Sequence, residues 1–109
     1  MNNMKDYEVK KEGSVLTITL GEELAVANAP ALMGELASYK EQGVEKVVFD
    51  ATNLQYISSS GVRVILYCKK YLSASSNIVF VNCKQDVLDV LDLVGILPHI
   101  TFAHSSSAT

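Results

Sequence analysis

The sequence has only two prolines, no long apolar run and no run of basic residues longer than a pair. A surface that binds nucleic acid needs a concentrated group of lysines and arginines. This chain has nine such residues against twelve acidic ones, which gives a net charge of −3. The composition therefore excludes a typical nucleic-acid surface, and we expect any macromolecular partner to be a protein.

No segment approaches the roughly 18 uninterrupted apolar residues that a membrane span requires. The charges within residues 1–10 are not followed by the apolar stretch of a secretory signal peptide. We therefore expect no membrane insertion and predict a cytoplasmic protein.

Motifs for metals and cofactors are also missing. Cys68 and Cys83 do not form a C-x-x-C motif, and His99 and His104 lack the spacing of paired ligands. The six glycines are isolated, so no glycine-rich phosphate loop is present. We predict reduced thiols in the core, no metal site and no cofactor.

The chain does contain enough apolar residues for one core. With 109 residues, 49% of them hydrophobic, it is long enough for one domain and too short for two. Strand patterns alternate with helical ones, which predicts an α/β fold with a mixed, mostly parallel sheet of four or five strands. We expect an N-terminal hairpin, three or four helices, a domain over residues 1–104 and a flexible tail over 105–109.

The individual elements follow from periodicity and from capping residues. Strands are predicted over 7–9, 15–20, 44–50, 78–81 and 100–102. The apolar run Val47 to Phe49 indicates a strand covered on both faces. Helices are predicted from the cap Asn28 to about Gln42, from Ser58 to Leu72, and over 85–94, with irregular structure at 21–23 and 53–56.

Three serines, Ser58, Ser59 and Ser60, stand before Gly61 at the point where a loop becomes the second helix. The first N–H groups of a helix have no intrahelical partner, so hydroxyls there act as caps, and the helix dipole favours an anion. The cluster is typical of a helix cap, and a covalent or bound phosphate would also fit.

Two other kinds of site, a hydrolase serine and a phosphoacceptor aspartate, are alternatives to the cap. The serines lack the G-x-S-x-G flanks and the tethered base of a hydrolase, so no catalytic residue is predicted. Asp50 ends a strand, and with Glu22 and Glu23 it suggests a receiver-like aspartyl-phosphate site. Its alternative role is a turn-forming carboxylate that accepts a bond from Thr52 or Asn53.

The segment from Asp50 to Leu66 resembles the signature of STAS domains, the family of anti-sigma factor antagonists and their relatives. The similarity covers nearly the whole chain and includes Leu20-Gly21, Phe80-Val81 and the segment 91–96. The resemblance implies a protein that is not an enzyme and that binds an anti-sigma factor with serine kinase activity, which frees the sigma factor.

The resemblance also implies a phosphorylation site. In the family the anti-sigma factor phosphorylates the first serine after the signature acid, and a phosphatase reverses the reaction; here that serine is Ser59. A phosphate on Ser59 would add about −1.5 to −2 charges at the N-terminus of a helix, which can accommodate them. The same charges would lie within a partner surface that is built for a neutral serine. Binding would fail while the fold remained intact.

The predicted partner surface joins the serine loop, the second helix and the turn after Leu20. Its residues are Ser58, Ser60, Gly61, Val62, Arg63, Leu66, Gly21, Glu22 and Glu23. Two positions depart from the family, since Ser58 replaces the acid before the phosphoacceptor and Ala25 replaces an aspartate before the first helix. A STAS adaptor without phosphorylation, in a transport or stress-signalling complex, is therefore the second hypothesis.

Overall fold

The structure, a computed structural model, describes residues 7–73 and 77–104, so the tail predicted at 105–109 lies outside the described residues. Within them the chain forms seven strands and three α-helices. In chain order these are β1 (Tyr7–Glu12), β2 (Val15–Leu20), β3 (Glu23–Leu24), α1 (Ala29–Ala37), β4 (Lys46–Asp50), β5 (Tyr56–Ile57), α2 (Ser59–Tyr67), β6 (Asn77–Val81), α3 (Gln85–Leu93) and β7 (Thr101–Ala103).

Five strands form the central sheet in the order β1-β2-β4-β6-β7. The first two pair antiparallel through a turn in which Gly13 has a φ of 63°, a left-handed conformation that glycine adopts without strain. The remaining neighbours pair parallel. The predicted α/β architecture, its mostly parallel sheet and its N-terminal hairpin are confirmed.

On one face of the sheet, side chains that are paired across neighbouring strands form rows, and these rows are the centre of the core. Ile18 pairs with Phe49, which in turn pairs with Phe80, and all three side chains are fully buried. The two phenylalanine rings stack with their centroids 4.9 Å apart. Every helix adds apolar side chains to the same cluster, among them Leu32, Leu36, Ile65, Val87 and Leu91.

The opposite face of the sheet is less covered than the sequence suggested. In β4 the residues Val47 and Phe49 are fully buried, but Val48 between them is only half-buried. Its parallel neighbour Thr17 on β2 is half-buried as well. The cover of β4 is therefore complete on the face of Val47 and Phe49 and only partial on the face of Val48, although Val79, its neighbour on β6, is buried.

The first helix is shorter than predicted. It ends at Ala37 and not near Gln42, and the chain continues as turns. The Ser38 hydroxyl donates a hydrogen bond of 2.7 Å to the Glu35 carbonyl, and the Tyr39 amide bonds to the Leu36 carbonyl three residues back. These three-residue bonds replace the regular four-residue pattern, and a serine side chain that competes for a helical carbonyl favours the change.

The second helix begins at Ser59, buries one face against the core and continues into a π-helix over Cys68–Leu72. Gly61, Ile65, Cys68 and Leu72 are all buried. Cys68 and Cys83 are free thiols. Burial raises the pKa of the Cys68 thiol to about 12 and that of the Cys83 thiol to about 11, in the second case against the lowering effect of Lys84.

We predict that Phe49→Ala lowers the free energy of unfolding by about 3–5 kcal/mol, because it leaves a cavity beside Phe80 in the middle of the sheet. The control is Phe102→Ala on β7, where the ring is 37% exposed. Chemical denaturation of both variants checks this, and equal losses would contradict the placement of the core.

We also predict that both thiols are alkylated slowly at pH 8 in the folded protein, with Cys68 the slower of the two. The thiolate is the reactive form, and the raised pKa values leave almost none of it at that pH. Alkylation rates before and after denaturation test this, and rapid labelling of folded Cys68 would refute it.

Candidate functional site

The first turn of α2 is capped by the serine that precedes it. Ser58 has extended backbone angles, and its hydroxyl oxygen accepts a hydrogen bond of 3.1 Å from the Ser60 amide. Its carbonyl accepts the first helical bond, 3.0 Å long, from the Val62 amide. Within the serine cluster, Ser58 therefore supplies the predicted capping contact.

Ser59 is the first residue of α2, and its side chain is exposed. Its hydroxyl makes no hydrogen bond to any residue that the structure describes. Ser60, the third serine, is half-buried against α1. The three hydroxyls thus have different surroundings, and Ser59 is the one available to a partner.

Gly61 is buried where α2 crosses the small parallel sheet formed by β3 and β5. A Cβ atom at this position would lie 2.6 Å from Cγ1 of Ile57 and would also clash with the Leu24 carbonyl oxygen. The Ser58 amide donates a hydrogen bond of 3.1 Å to that same carbonyl. Only glycine allows this approach without a shift of the backbone.

The turn after Leu20 is joined to the serine loop by β3 and β5. The Glu22 carbonyl accepts bonds from the Gln55 and Tyr56 amides, at 2.8 and 3.1 Å. Glu22 and Glu23 are exposed, and Gly21 is half-buried. The structure is irregular at 21–22 and 53–55 as predicted, but Glu23 and Tyr56 belong to these strands, which bring the two predicted parts of the partner surface together.

An exposed stripe runs along α2 from the phosphoacceptor candidate. Ser59, Arg63 and Leu66 are separated by four and then three residues, a spacing that places them on one helical face. All three are exposed, Leu66 by 47%. Gly61 and Val62, the other α2 residues of the predicted partner surface, are buried in the free protein, where they pack the helix and present little surface.

A cleft of about 440 Å³ between α1 and α2 was missed at the level of sequence. Its lining is Ala29, Pro30, Met33 and Gly34 from α1, with Ser60 and Arg63 from α2. The Met33 side chain is only half-buried. The sequence feature that could have predicted this cleft is a second row of small and apolar residues on α1, which lies beside the row that faces the core.

Asn28 does not cap α1 through its side chain, contrary to expectation. Its Oδ1 accepts a bond of 2.9 Å from the Ala25 amide, and its Nδ2 donates one of 2.9 Å to the Glu23 carbonyl. The side chain is buried, and it pairs backbone groups of the turn that otherwise would lack partners. Asn28 thus fixes the turn between β3 and α1.

Asp50 acts as the turn-forming carboxylate. Its Oδ1 accepts bonds from the amide and the hydroxyl of Thr52, at 3.1 and 2.6 Å. Lys84 donates to the Thr52 carbonyl and Asn82 to the Thr52 hydroxyl, which ties this turn to the residues that follow β6. In the described ranges no three histidine, cysteine or acidic side chains are placed to hold a metal ion.

None of the helices in the described part of the chain has the length and apolar composition that a membrane crossing needs.

Comparison with known proteins relates this chain to one family. The family model described as the STAS domain matches residues 6–108. A Bordetella bronchiseptica protein, the proposed anti-sigma factor antagonist BtrV, is 37% identical over 83 residues, which cover 75% of this chain and 72% of that protein.

Solved structures share the fold at lower identity. The unphosphorylated form of the anti-sigma factor antagonist SpoIIAA is 20% identical, with a TM-score of 0.79 over 94% of this chain and 91% of that one. The phosphorylated form of the Bacillus cell fate determinant SpoIIAA is 19% identical, with a TM-score of 0.70 over 94% and 95% of the two chains. The compact sheet and helices described above are therefore a known arrangement.

We predict opposite effects of the same substitution at two helical glycines. Gly61→Ala lowers the free energy of unfolding by about 1–3 kcal/mol, because the new methyl group overlaps Leu24 and Ile57. Gly34→Ala raises it by about 0.5–1 kcal/mol, because no atom from outside its own stretch of helix lies within 4 Å of the Cβ position and alanine is the better helix former. Urea denaturation of the pair tests this, and equal shifts would show that α2 does not pack closely at Gly61.

Proposed function

Because this chain belongs to the STAS domain family, we propose that it is an anti-sigma factor antagonist whose binding is switched off by phosphorylation of Ser59. In this proposal the partner is an anti-sigma factor with serine kinase activity, and binding to it releases the sigma factor. A phosphatase restores the unmodified serine. The protein acts in the cytoplasm as a substrate of the kinase.

The observation that carries the proposal is the position of the Ser59 hydroxyl. It is exposed at the first residue of α2 and makes no bond within the described structure, whereas Ser58 is occupied as the cap and Ser60 is half-buried. A kinase therefore reaches Ser59 without unfolding the helix or breaking its cap. Of the three serines, Ser59 is the one for which modification disturbs the fold least.

The charge of a phosphate explains how a small modification would act as a switch. At the first residue of a nine-residue helix, the negative charge lies beside unpaired N–H groups and the positive end of the helix dipole. The fold is thus expected to tolerate it. A partner surface that fits a neutral hydroxyl would have to desolvate the same charge, which disfavours the complex.

A second candidate function is favoured by the neutral residues around Ser59. Ser58 and Ala25 stand where the resemblance places acids, Ser58 serves as the cap, and Ala25 is buried. A STAS adaptor that is not phosphorylated, in a transport or stress-signalling complex, would use the same surface without the switch. Incubation with the purified partner and ATP separates the two, because only the first candidate is modified.

We predict that Ser59→Asp weakens binding to the anti-sigma factor at least about tenfold, because it places a charge in the contact surface. The melting temperature should not fall, since an acid is favourable at this helical position. Isothermal titration calorimetry with the purified anti-sigma factor gives the affinity, and thermal unfolding gives the stability.

The matched control is Gln85→Asp, which adds the same charge at the exposed first residue of α3. It should bind as the wild type does. Wild-type affinity in Ser59→Asp would refute the switch, and the same loss in both variants would mean that overall charge, not the site, controls binding.

A further inference from the structure

The cleft between α1 and α2 combines apolar walls with one cationic side chain. Ala29, Pro30, Met33 and Gly34 form the side contributed by α1. Arg63 belongs to the opposite side, and no acidic residue is among the lining groups. Within the described ranges, the Arg63 guanidinium makes neither an ion pair nor a hydrogen bond.

This combination specifies the chemistry of a complementary group. The apolar walls favour burial of an apolar side chain, and the unpaired guanidinium favours a carboxylate, with which arginine forms paired hydrogen bonds. A segment with only apolar residues would leave the guanidinium unpaired, and an added basic group would be repelled. The complementary segment therefore carries both an apolar side chain and an acid.

We propose that this cleft binds a segment of the anti-sigma factor in which a large apolar side chain stands next to an aspartate or glutamate that pairs with Arg63. The inference rests on the proposed function, because it names the contact by which that partner is recognised. It extends the partner surface from α2 onto α1, to Pro30, Met33 and Gly34, which the sequence did not indicate.

The position of Arg63 also connects the cleft to the switch. Arg63 follows Ser59 by four residues and lies on the same exposed face of α2. Oppositely charged groups at this spacing attract each other. A phosphate on Ser59 would therefore compete with the partner's carboxylate for the guanidinium, and phosphorylation would remove the cation of the cleft as well as add a charge.

The test compares charge and shape variants for binding to the purified anti-sigma factor that the wild type binds. Arg63→Glu should weaken binding at least about tenfold, and Arg63→Lys, which keeps the charge, should lose less. Gly34→Leu should weaken binding about tenfold because its side chain fills the cleft. Calorimetry measures each affinity, and thermal unfolding verifies that each variant is folded.

The matched control for shape is Ala31→Leu, because Ala31 is an exposed residue of α1 that does not line the cleft. It should bind as the wild type does. Wild-type affinity in both Arg63→Glu and Gly34→Leu would overturn the inference, while a loss in Ser59→Asp would still support the proposed function. If the wild type binds no anti-sigma factor, both claims fail.

A photo-crosslinking experiment identifies what occupies the cleft. A diazirine amino acid replaces Met33, and in a second protein it replaces Ala31. Irradiation of the complexes should link only the first to the anti-sigma factor, at a peptide in which an apolar residue adjoins an aspartate or glutamate. A linked peptide without an acid, or equal linking from both positions, would contradict the proposed contact.

Discussion

The backbone of α2 at Gly61 lies directly against Leu24 and Ile57, and the arrangement of the serine loop depends on this contact. The approach is close enough for the Ser58 amide to bond to the Leu24 carbonyl, while the Ser58 hydroxyl caps the helix. Ser59 is thereby held outward at the first helical position. A larger residue at position 61 would push the helix away and disturb all of these positions together.

The site and the core are largely separate, and this separation suits a surface switch. The rows centred on Phe49 and Phe80 hold the sheet together, and the Asp50 turn is fixed by its own bonds to Thr52. None of these contacts includes the Ser59 side chain. In the function that we propose, a change of charge at Ser59 would therefore alter the surface offered to the partner without opening the core, as reversible regulation requires.

Much of this arrangement could be predicted from the sequence because it depends on local patterns. Alternating residues define β2, and apolar runs between helical patterns define the parallel strands. The short strands Glu23–Leu24 and Tyr56–Ile57 have too few residues to show a period, and the end of α1 is marked by local bonds to the Glu35 carbonyl that leave no periodic signal. The α1–α2 cleft depends on how two helices pack, which no local pattern reveals.

In the function that we propose, the Ser59 hydroxyl is the group that the kinase modifies. The most direct measurement incubates the protein with the purified anti-sigma factor and ATP and locates the phosphate by tandem mass spectrometry, with Ser59→Ala in parallel. We expect one phosphate, on Ser59, and none on the variant. A phosphate on Ser58 or Ser60, or an unmodified wild type in complex with an active kinase, would contradict it.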